Sequence, residues 1–378
     1  MKKNIYIPVN TPLLKGNEKK YLNHCINSNW ISSGGNYVVE LEKSIAKKLG
    51  RKHAVAVSSG TAALDIAVTT LDLKKNDEII LPTFTIISCI HQIIRLGLKP
   101  IFIDCDKKTW NMDERLIEKK ITKRTKAILV VHIYGLPVNF SKILRLAKKY
   151  KLKIIEDSAE VLGLKYKKKF CGNLGDISTL SFYPNKHITT GEGGMLLTDN
   201  SNYAKKFQSL RNLCFEKKRF IHNDLGWNYR LSNLHAAVGM AQFEKLDTFI
   251  KKKREIGKLY NSLFKKFNFF DTQPDKLDYA KNIYWVYGIV LKKKYLSFKE
   301  IIIRELKKSG IETRPFFYPL HLQPILKKKI SINGRYPNAE NLYKSGFYIP
   351  SGLGLKNIEI RYVAKTMIKL FKKIDSQL

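Results

Sequence analysis

Residues 177–194 read Ile177-Ser178-Thr179-Leu180-Ser181-Phe182-Tyr183-Pro184-Asn185-Lys186-His187-Ile188-Thr189-Thr190-Gly191-Glu192-Gly193-Gly194. An apolar strand from Ile177 to Phe182 runs into a lone lysine and then a glycine-rich turn, in a chain whose other lysines mostly stand in charged runs. That is where a Schiff-base lysine is held. A lysine amine condenses with an aldehyde only when part of its population is deprotonated, and burial lowers its pKa toward neutrality. A solvated loop lysine is the other reading of this segment taken alone.

Outward from this strand, short runs rich in Val and Ile alternate with amphipathic stretches of helix length from about Arg51 to Thr198. The pattern predicts an α/β fold with a mainly parallel sheet covered by helices. Strands are expected at Ala54 to Val57, Glu78 to Leu81, Pro100 to Asp104, Ala127 to His132, Lys153 to Glu156, Ile177 to Phe182 and Met195 to Thr198. Burial on both faces explains why they lack alternation. Between Leu234 and Phe264, Leu246, Phe249, Ile250, Ile256, Leu259 and Tyr260 recur at three- and four-residue spacing, which predicts one long connecting helix. Beyond it, a strand over Ile283 to Leu291, a helix over Phe298 to Ser309 ended by Gly310, and a closing helix over Ile358 to Lys373 suit a smaller C-terminal α+β domain. The expected division is a large domain over 1–245 and a small one over 246–378, with no Pro/Gly/Ser hinge between them.

A chain of 378 residues, 44% of them hydrophobic, can bury a sizeable core and exceeds the usual single-core limit. The segment Met1 to Pro8 is basic but is interrupted by Pro8, Asn10 and Pro12 before any signal-length apolar stretch, so a cleaved secretion signal is not expected. No run reaches the length of a membrane span. Cys25, Cys89, Cys105, Cys171 and Cys214 are scattered, odd in number and without a C-x-x-C pair, so they read as reduced cytoplasmic thiols and not as a disulfide frame or metal site. The 69 Lys and Arg against 32 Asp and Glu give a net charge of +37, which favours anionic partners. These lysines are spread in short runs, with no basic arm and no aromatic-interleaved nucleic-acid module, so a solvated surface accounts for them. A non-catalytic anion or nucleic-acid binder is the rival class.

Ser58-Ser59-Gly60-Thr61-Ala62 joins a strand end to a helix start, where free N–H groups and small residues form a phosphate seat; an ordinary N-cap is the alternative. Asp157, in Glu156-Asp157-Ser158-Ala159-Glu160, stands at the end of a buried strand, where such sheets bind ligands. It is suited to pairing with a protonated ring nitrogen, the interaction that makes pyridoxal phosphate an electron sink; a capping aspartate is the alternative. Ser181, five residues before Lys186, adds a hydroxyl to the seat.

These segments, with Val131-His132-Ile133-Tyr134-Gly135, the glycine turn Thr190 to Gly194 and Trp227-Asn228-Tyr229-Arg230-Leu231, resemble the DegT/DnrJ/EryC1/StrS family of pyridoxal-phosphate sugar aminotransferases from about Pro8 to about Gly354. The resemblance implies the aspartate-aminotransferase fold (fold type I) and a cytoplasmic homodimer with shared active sites. It implies that Lys186 and Asp157 are catalytic, and that the cofactor is held by Gly60, Thr61, Ala62, Ile86, Asp157, Glu160, Ser181, Lys186 and, from the partner subunit, Asn228. Ile86 stands where many relatives carry a ring-stacking aromatic, and Phe84 lies two residues earlier. Some members replace the lysine with histidine and act as 3-dehydratases; here Asn185-Lys186-His187 keeps the lysine in that slot.

Within the family, Trp30 to Gly34, Glu160 and the segment Thr313 to His321 resemble the branch that aminates the 4-keto carbon of GDP-4-keto-6-deoxymannose for O-antigen lipopolysaccharide, with glutamate as donor. That implies substrate contacts at Trp30, Glu160, Arg230, Arg314, Phe317 and His321. UDP- and dTDP-linked keto sugars are the alternatives, and packing is the other account of the aromatic residues.

Overall fold

The computed structural model describes residues 5–218 and 220–377, so Met1 to Asn4 of the N-terminal expectation lie outside the described residues. Strands β1 (His53–Val57), β2 (Glu78–Pro82), β3 (Lys99–Ile103), β4 (Thr125–Val131) and β5 (Lys153–Asp157) come first in the chain. A small hairpin, β6 (Lys165–Tyr166) and β7 (Lys169–Phe170), precedes β8 (Ile177–Ser181) and β9 (Gly194–Thr198). Apart from the hairpin, these strands form one seven-stranded sheet in the order β1-β9-β8-β5-β4-β2-β3. Only β9 runs against its neighbours β1 and β8; β8, β5, β4, β2 and β3 pair in parallel.

Successive residues of each strand feed opposite cores. Ile79, Leu81, Ala127 and Leu129 join one apolar cluster, while Ile80, Ile128 and Val130 join the other. Both faces are therefore covered, which is why these strands lack a polar-apolar alternation. The five parallel partners end on one edge, so the loops after β2, β4, β5 and β8 and the helix after β1 converge there, the usual ligand edge of an open α/β sheet.

The expected single helix over Leu234 to Phe264 is two, Asn233–Phe243 and Leu246–Phe264. The chain breaks at Glu244 and Lys245 because Glu244 is drawn to Asn17 Nδ2 at 2.7 Å and to the Tyr21 hydroxyl, while the Lys245 N–H closes a tight turn onto Gln242 O at 3.0 Å. The C-terminal part holds an antiparallel sheet of β10 (Phe270–Asp271), β11 (Tyr287–Leu291), β12 (Arg314–Pro315) and β13 (Gly346–Ile349) in the order β10-β11-β13-β12. Helices Leu246–Phe264, Lys299–Lys308 and Asn357–Asp375 enclose a third core with it.

The strand expected from Ile283 starts only at Tyr287, because Tyr284 adopts a left-handed φ of +51° and turns the chain before the sheet begins. All five cysteines are buried and free. Among the described residues no helix is long and apolar enough to cross a membrane.

Candidate active site

The end of β8 is anchored to β9 through the glycine turn. Phe182 N–H donates to Gly193 O at 2.8 Å, and Phe182 O accepts from Thr190 N–H at 3.0 Å and from the Thr189 hydroxyl at 2.8 Å. Gly194 has to be glycine, since a Cβ there would lie 2.3 Å from Ser59 O. Lys186 projects from this frame into a cavity of about 360 Å³, within the range of small-molecule sites. Its side chain is 12% exposed, and its Nζ lies 3.9 Å from Glu160 Oε1 and 4.0 Å from the centroid of the Trp285 ring. Burial pushes the Lys186 amine below its usual range, against the pull of Glu160 and Asp157.

Asp157 ends β5 in the same cavity. Its Oδ1 accepts from Ala159 N–H at 3.0 Å, and its Oδ2 faces the Cys89 thiol at 3.4 Å. Burial raises its pKa, with Ala159 and the Lys186 charge acting in the opposite direction. Glu160 also lines the cavity; its Oε2 accepts from Tyr134 N–H at 2.7 Å, and burial raises its pKa too, opposed by Lys186.

At the helix Gly60–Thr70, Ser59 caps through its hydroxyl, which accepts from Ala62 N–H at 3.0 Å. The N–H groups of Gly60 and Thr61, at the start of the helix, have no intrahelical acceptor and belong to cavity-lining residues. Gly60 permits close approach to β8, since a Cβ there would lie 2.9 Å from Ser181 Cβ. Ser59, Gly60, Thr61 and Ser181 thus make an anion seat in the cavity that holds Lys186 and Asp157. An amine, a buried carboxylate and an anion seat are the donor set that pyridoxal phosphate requires, and the residues present fit it.

The structure brings together Gly60, Thr61, Ile86, Asp157, Glu160, Ser181, Lys186 and Phe317. Ile86 faces the cavity, whereas Phe84 is fully buried between Tyr134, Phe316 and Phe317. The chain leaves its strand at Pro82, so the period-two relation between the two residues does not hold there. Ala62 lies outside the cavity, its N–H taken by the Ser59 cap. His321 also lies outside it, buried with Nδ1 2.7 Å from the Thr83 hydroxyl and its ring on Tyr336. Trp30 and Arg314 are exposed, Arg314 with its Nε 3.5 Å from Glu312. Asn228 and Arg230 are exposed as well and bond to each other, Arg230 Nε donating to Asn228 Oδ1 at 2.9 Å, on a segment docked to the end of β1 through Ser58 N–H and Tyr229 O.

Sequence reasoning missed Trp285 and Tyr348, which reach the cavity from the C-terminal part. It also assigned no role to Glu156. That carboxylate is fully buried and accepts from six groups: His132 Nε2 at 3.1 Å, the Ser158 hydroxyl at 3.0 Å, Gly172 N–H at 2.7 Å, Leu174 N–H at 2.9 Å, Gly175 N–H at 3.2 Å and the Ser178 hydroxyl at 2.7 Å. His132 Nδ1 accepts from Val138 N–H at 3.1 Å, so Nε2 carries the proton it donates. Although His132, Glu156 and Cys171 bring ligand-type atoms within 4.8 Å of one another, this is a saturated hydrogen-bonded hub that fastens the strand carrying Asp157.

The sheet order, the lysine at a strand end and the anion seat define a pyridoxal-phosphate enzyme of the aspartate-aminotransferase fold. A model of the DegT/DnrJ/EryC1/StrS aminotransferase family matches residues 12–368, and the chain belongs to that family. It is 40% identical over 367 residues to GDP-perosamine synthase of Escherichia coli O157:H7, covering 97% of this chain and 99% of that protein. Among solved structures, Helicobacter pylori PseC, an aminotransferase involved in the biosynthesis of pseudoaminic acid, superposes with a TM-score of 0.93 at 26% identity, over 97% of this chain and 100% of the other. GDP-4-keto-6-deoxymannose-3-dehydratase with bound GDP-perosamine superposes with a TM-score of 0.88 at 27% identity, over 96% of this chain and 100% of the other. The family membership sets aside a non-catalytic anion or nucleic-acid binder.

Proposed function

We propose that this chain transfers an amino group from glutamate to the 4-keto carbon of GDP-4-keto-6-deoxymannose, yielding GDP-perosamine and 2-oxoglutarate. One observation carries the reading: Lys186, nearly buried, shares one cavity with Asp157 and an open helix N-terminus, in a chain similar over almost its whole length to a GDP-perosamine synthase. The same reading makes it a cytoplasmic homodimer, with 1–245 as the cofactor-holding domain and 246–378 as the smaller domain beside it.

Pyridoxal phosphate, when bound, supplies an electron sink for the bonds of the carbon that carries the amino group. The chain does the rest. Gly60 and Thr61 N–H groups and the Ser181 hydroxyl would hold the phosphate, Asp157 would pair with the ring nitrogen, and Ile86 would offer the ring an apolar wall. The Lys186 amine moves the proton at the reacting carbon, and its lowered pKa leaves more of it basic at neutral pH. Glu160 sets the local charge beside Lys186. Phe317 faces the sugar, and the exposed Trp30 and Arg314 contact the nucleotide sugar as it enters. Asn228 reaches the partner's seat and Arg230, beside it, an anionic group of the substrate, which accounts for their exposure in a single chain.

Lysine in the catalytic slot selects amine transfer over 3-dehydration. His187, the adjacent histidine, is buried and does not line the cavity. The test is an amination assay with matched GDP-, UDP- and dTDP-linked 4-keto-6-deoxy sugars, following 2-oxoglutarate release from glutamate. Preference for the GDP-linked sugar is expected. Preference for a UDP- or dTDP-linked one rejects the substrate and leaves the aminotransferase standing.

A further inference from the structure

We propose that Trp285 is a positioning residue for Lys186: its indole face holds the lysine ammonium in the cavity, and its N–H ties down the turn that carries that lysine. The proposal rests on the reading of Lys186 as the cofactor-linking residue.

The 3.9 Å from Lys186 Nζ to Glu160 Oε1 is too long for a hydrogen bond, and among the described residues nothing accepts one from this nitrogen. The indole face is the near partner, with its centroid at 4.0 Å, well inside cation–π range. Trp285 is itself fixed at three points. Its Nε1–H donates at 2.7 Å to the carbonyl of Asn185, the residue before Lys186, which also accepts from Asn10 Nδ2 at 3.1 Å. The Trp285 carbonyl accepts at 2.7 Å from Lys253 Nζ, a buried amine that also donates to Ser351 O at 2.5 Å. The ring rests on Tyr134, with centroids 5.9 Å apart.

The route that delivers it is costly to build. Tyr284 takes a left-handed φ just before Trp285, and its ring occupies the space of a missing side chain at Gly257, where a Cβ would come within 2.5 Å of it.

An aromatic face suits this lysine better than a hydrogen-bonded carboxylate. It favours the ammonium electrostatically, yet it accepts no proton and occupies no lone pair. Once deprotonated, the nitrogen stays free to take up a proton or attack a carbonyl carbon. A carboxylate in hydrogen-bond contact would hold the proton and lock the charged form.

The experiment uses cofactor-free protein with lysine labelled by carbon-13 at the ε-carbon, the Lys186 signal being assigned by its loss in Lys186→Arg. The tryptophans are replaced biosynthetically by mono-, di- and trifluorinated tryptophan, which drains the ring face of negative charge while keeping its shape and N–H. Lys186 is expected to titrate progressively lower along the series, by roughly tenfold in its ionisation constant. Trp285→Leu should reproduce the full shift and Trp285→Phe a smaller one. A Lys186 titration that does not move along the fluorinated series overturns the proposal, and because that series keeps the fold, misfolding of a substituted variant cannot excuse it. Borohydride reduction of the holoenzyme followed by peptide mapping reports separately on the underlying reading. Cofactor fixed on Lys186 supports it, and cofactor fixed on another lysine overturns both.

Discussion

Replacing Glu156 by Gln removes one charge from the hub beneath Asp157 and turns an amide NH2 toward groups that are all donors. Burial by itself pushes the Glu156 pKa up, but the hydrogen bond from His132, its electrostatic attraction and the bonds from Gly172 and Ser178 outweigh this and hold it at about 2. Against an ordinary value of 4.5, that gap corresponds to about 3 kcal/mol of stability at neutral pH. The neutral His132 tautomer trims the figure toward about 2 kcal/mol. Because the folded pKa is depressed, the contribution is fully present above the unfolded value and is lost as pH falls through the folded one. Gln imitates the protonated acid at every pH. The difference between wild type and Glu156→Gln is therefore expected to be about 2–3 kcal/mol above pH 5 and to shrink to under half of that by about pH 3. Urea unfolding followed by far-UV circular dichroism at a series of pH values measures it. Equal stability at pH 7, or a difference that does not change between pH 6 and pH 3, refutes the reasoning. The variant should also turn over more slowly with KM little changed, since Asp157 follows Glu156 on the same strand.

Lys186→Ala removes the amine proposed to move the proton, so transamination should fall by about a thousandfold or more while the fold survives, as followed by 2-oxoglutarate release. Near-normal turnover would move the site elsewhere. Asp157→Asn should keep cofactor, because the anion seat is untouched, yet lose roughly 100-fold or more in turnover, because an amide does not hold a ring-nitrogen charge; full activity in a steady-state assay contradicts that role. Gly60→Ala places a Cβ 2.9 Å from Ser181 Cβ and should weaken cofactor binding by about tenfold in an absorbance titration, with unchanged affinity counting against the seat.

The seven strands of the main sheet were legible because a strand buried on both faces is rich in apolar residues without alternation, and such short runs are local. Lys186, Asp157 and Ser181 were legible for a related reason: each stands at or just after the end of such a run, and ends on one edge of a parallel sheet meet. The break at Glu244 was not legible, because the groups that draw Glu244 away, Asn17 and Tyr21, lie more than two hundred residues earlier. Nor was the choice between Ile86 and Phe84, which turns on the buried aromatic cluster that takes Phe84.

Residue order alone therefore determined the sheet and the placement of Lys186, Asp157 and the Ser59–Thr61 turn at its ligand edge, since each follows from hydrophobic runs and the groups at their ends. Tertiary structure alone decided what surrounds the lysine. Trp285 meets the Asn185 carbonyl from a hundred residues away, after a left-handed turn at Tyr284 that no periodicity announces, and Cys89, on the helix Ser88–Arg95 that follows β2, meets Asp157 at the end of β5, with β4 lying between those two strands. Contacts of that kind depend on where the finished layers place distant side chains, and short-range pattern carries no record of that distance.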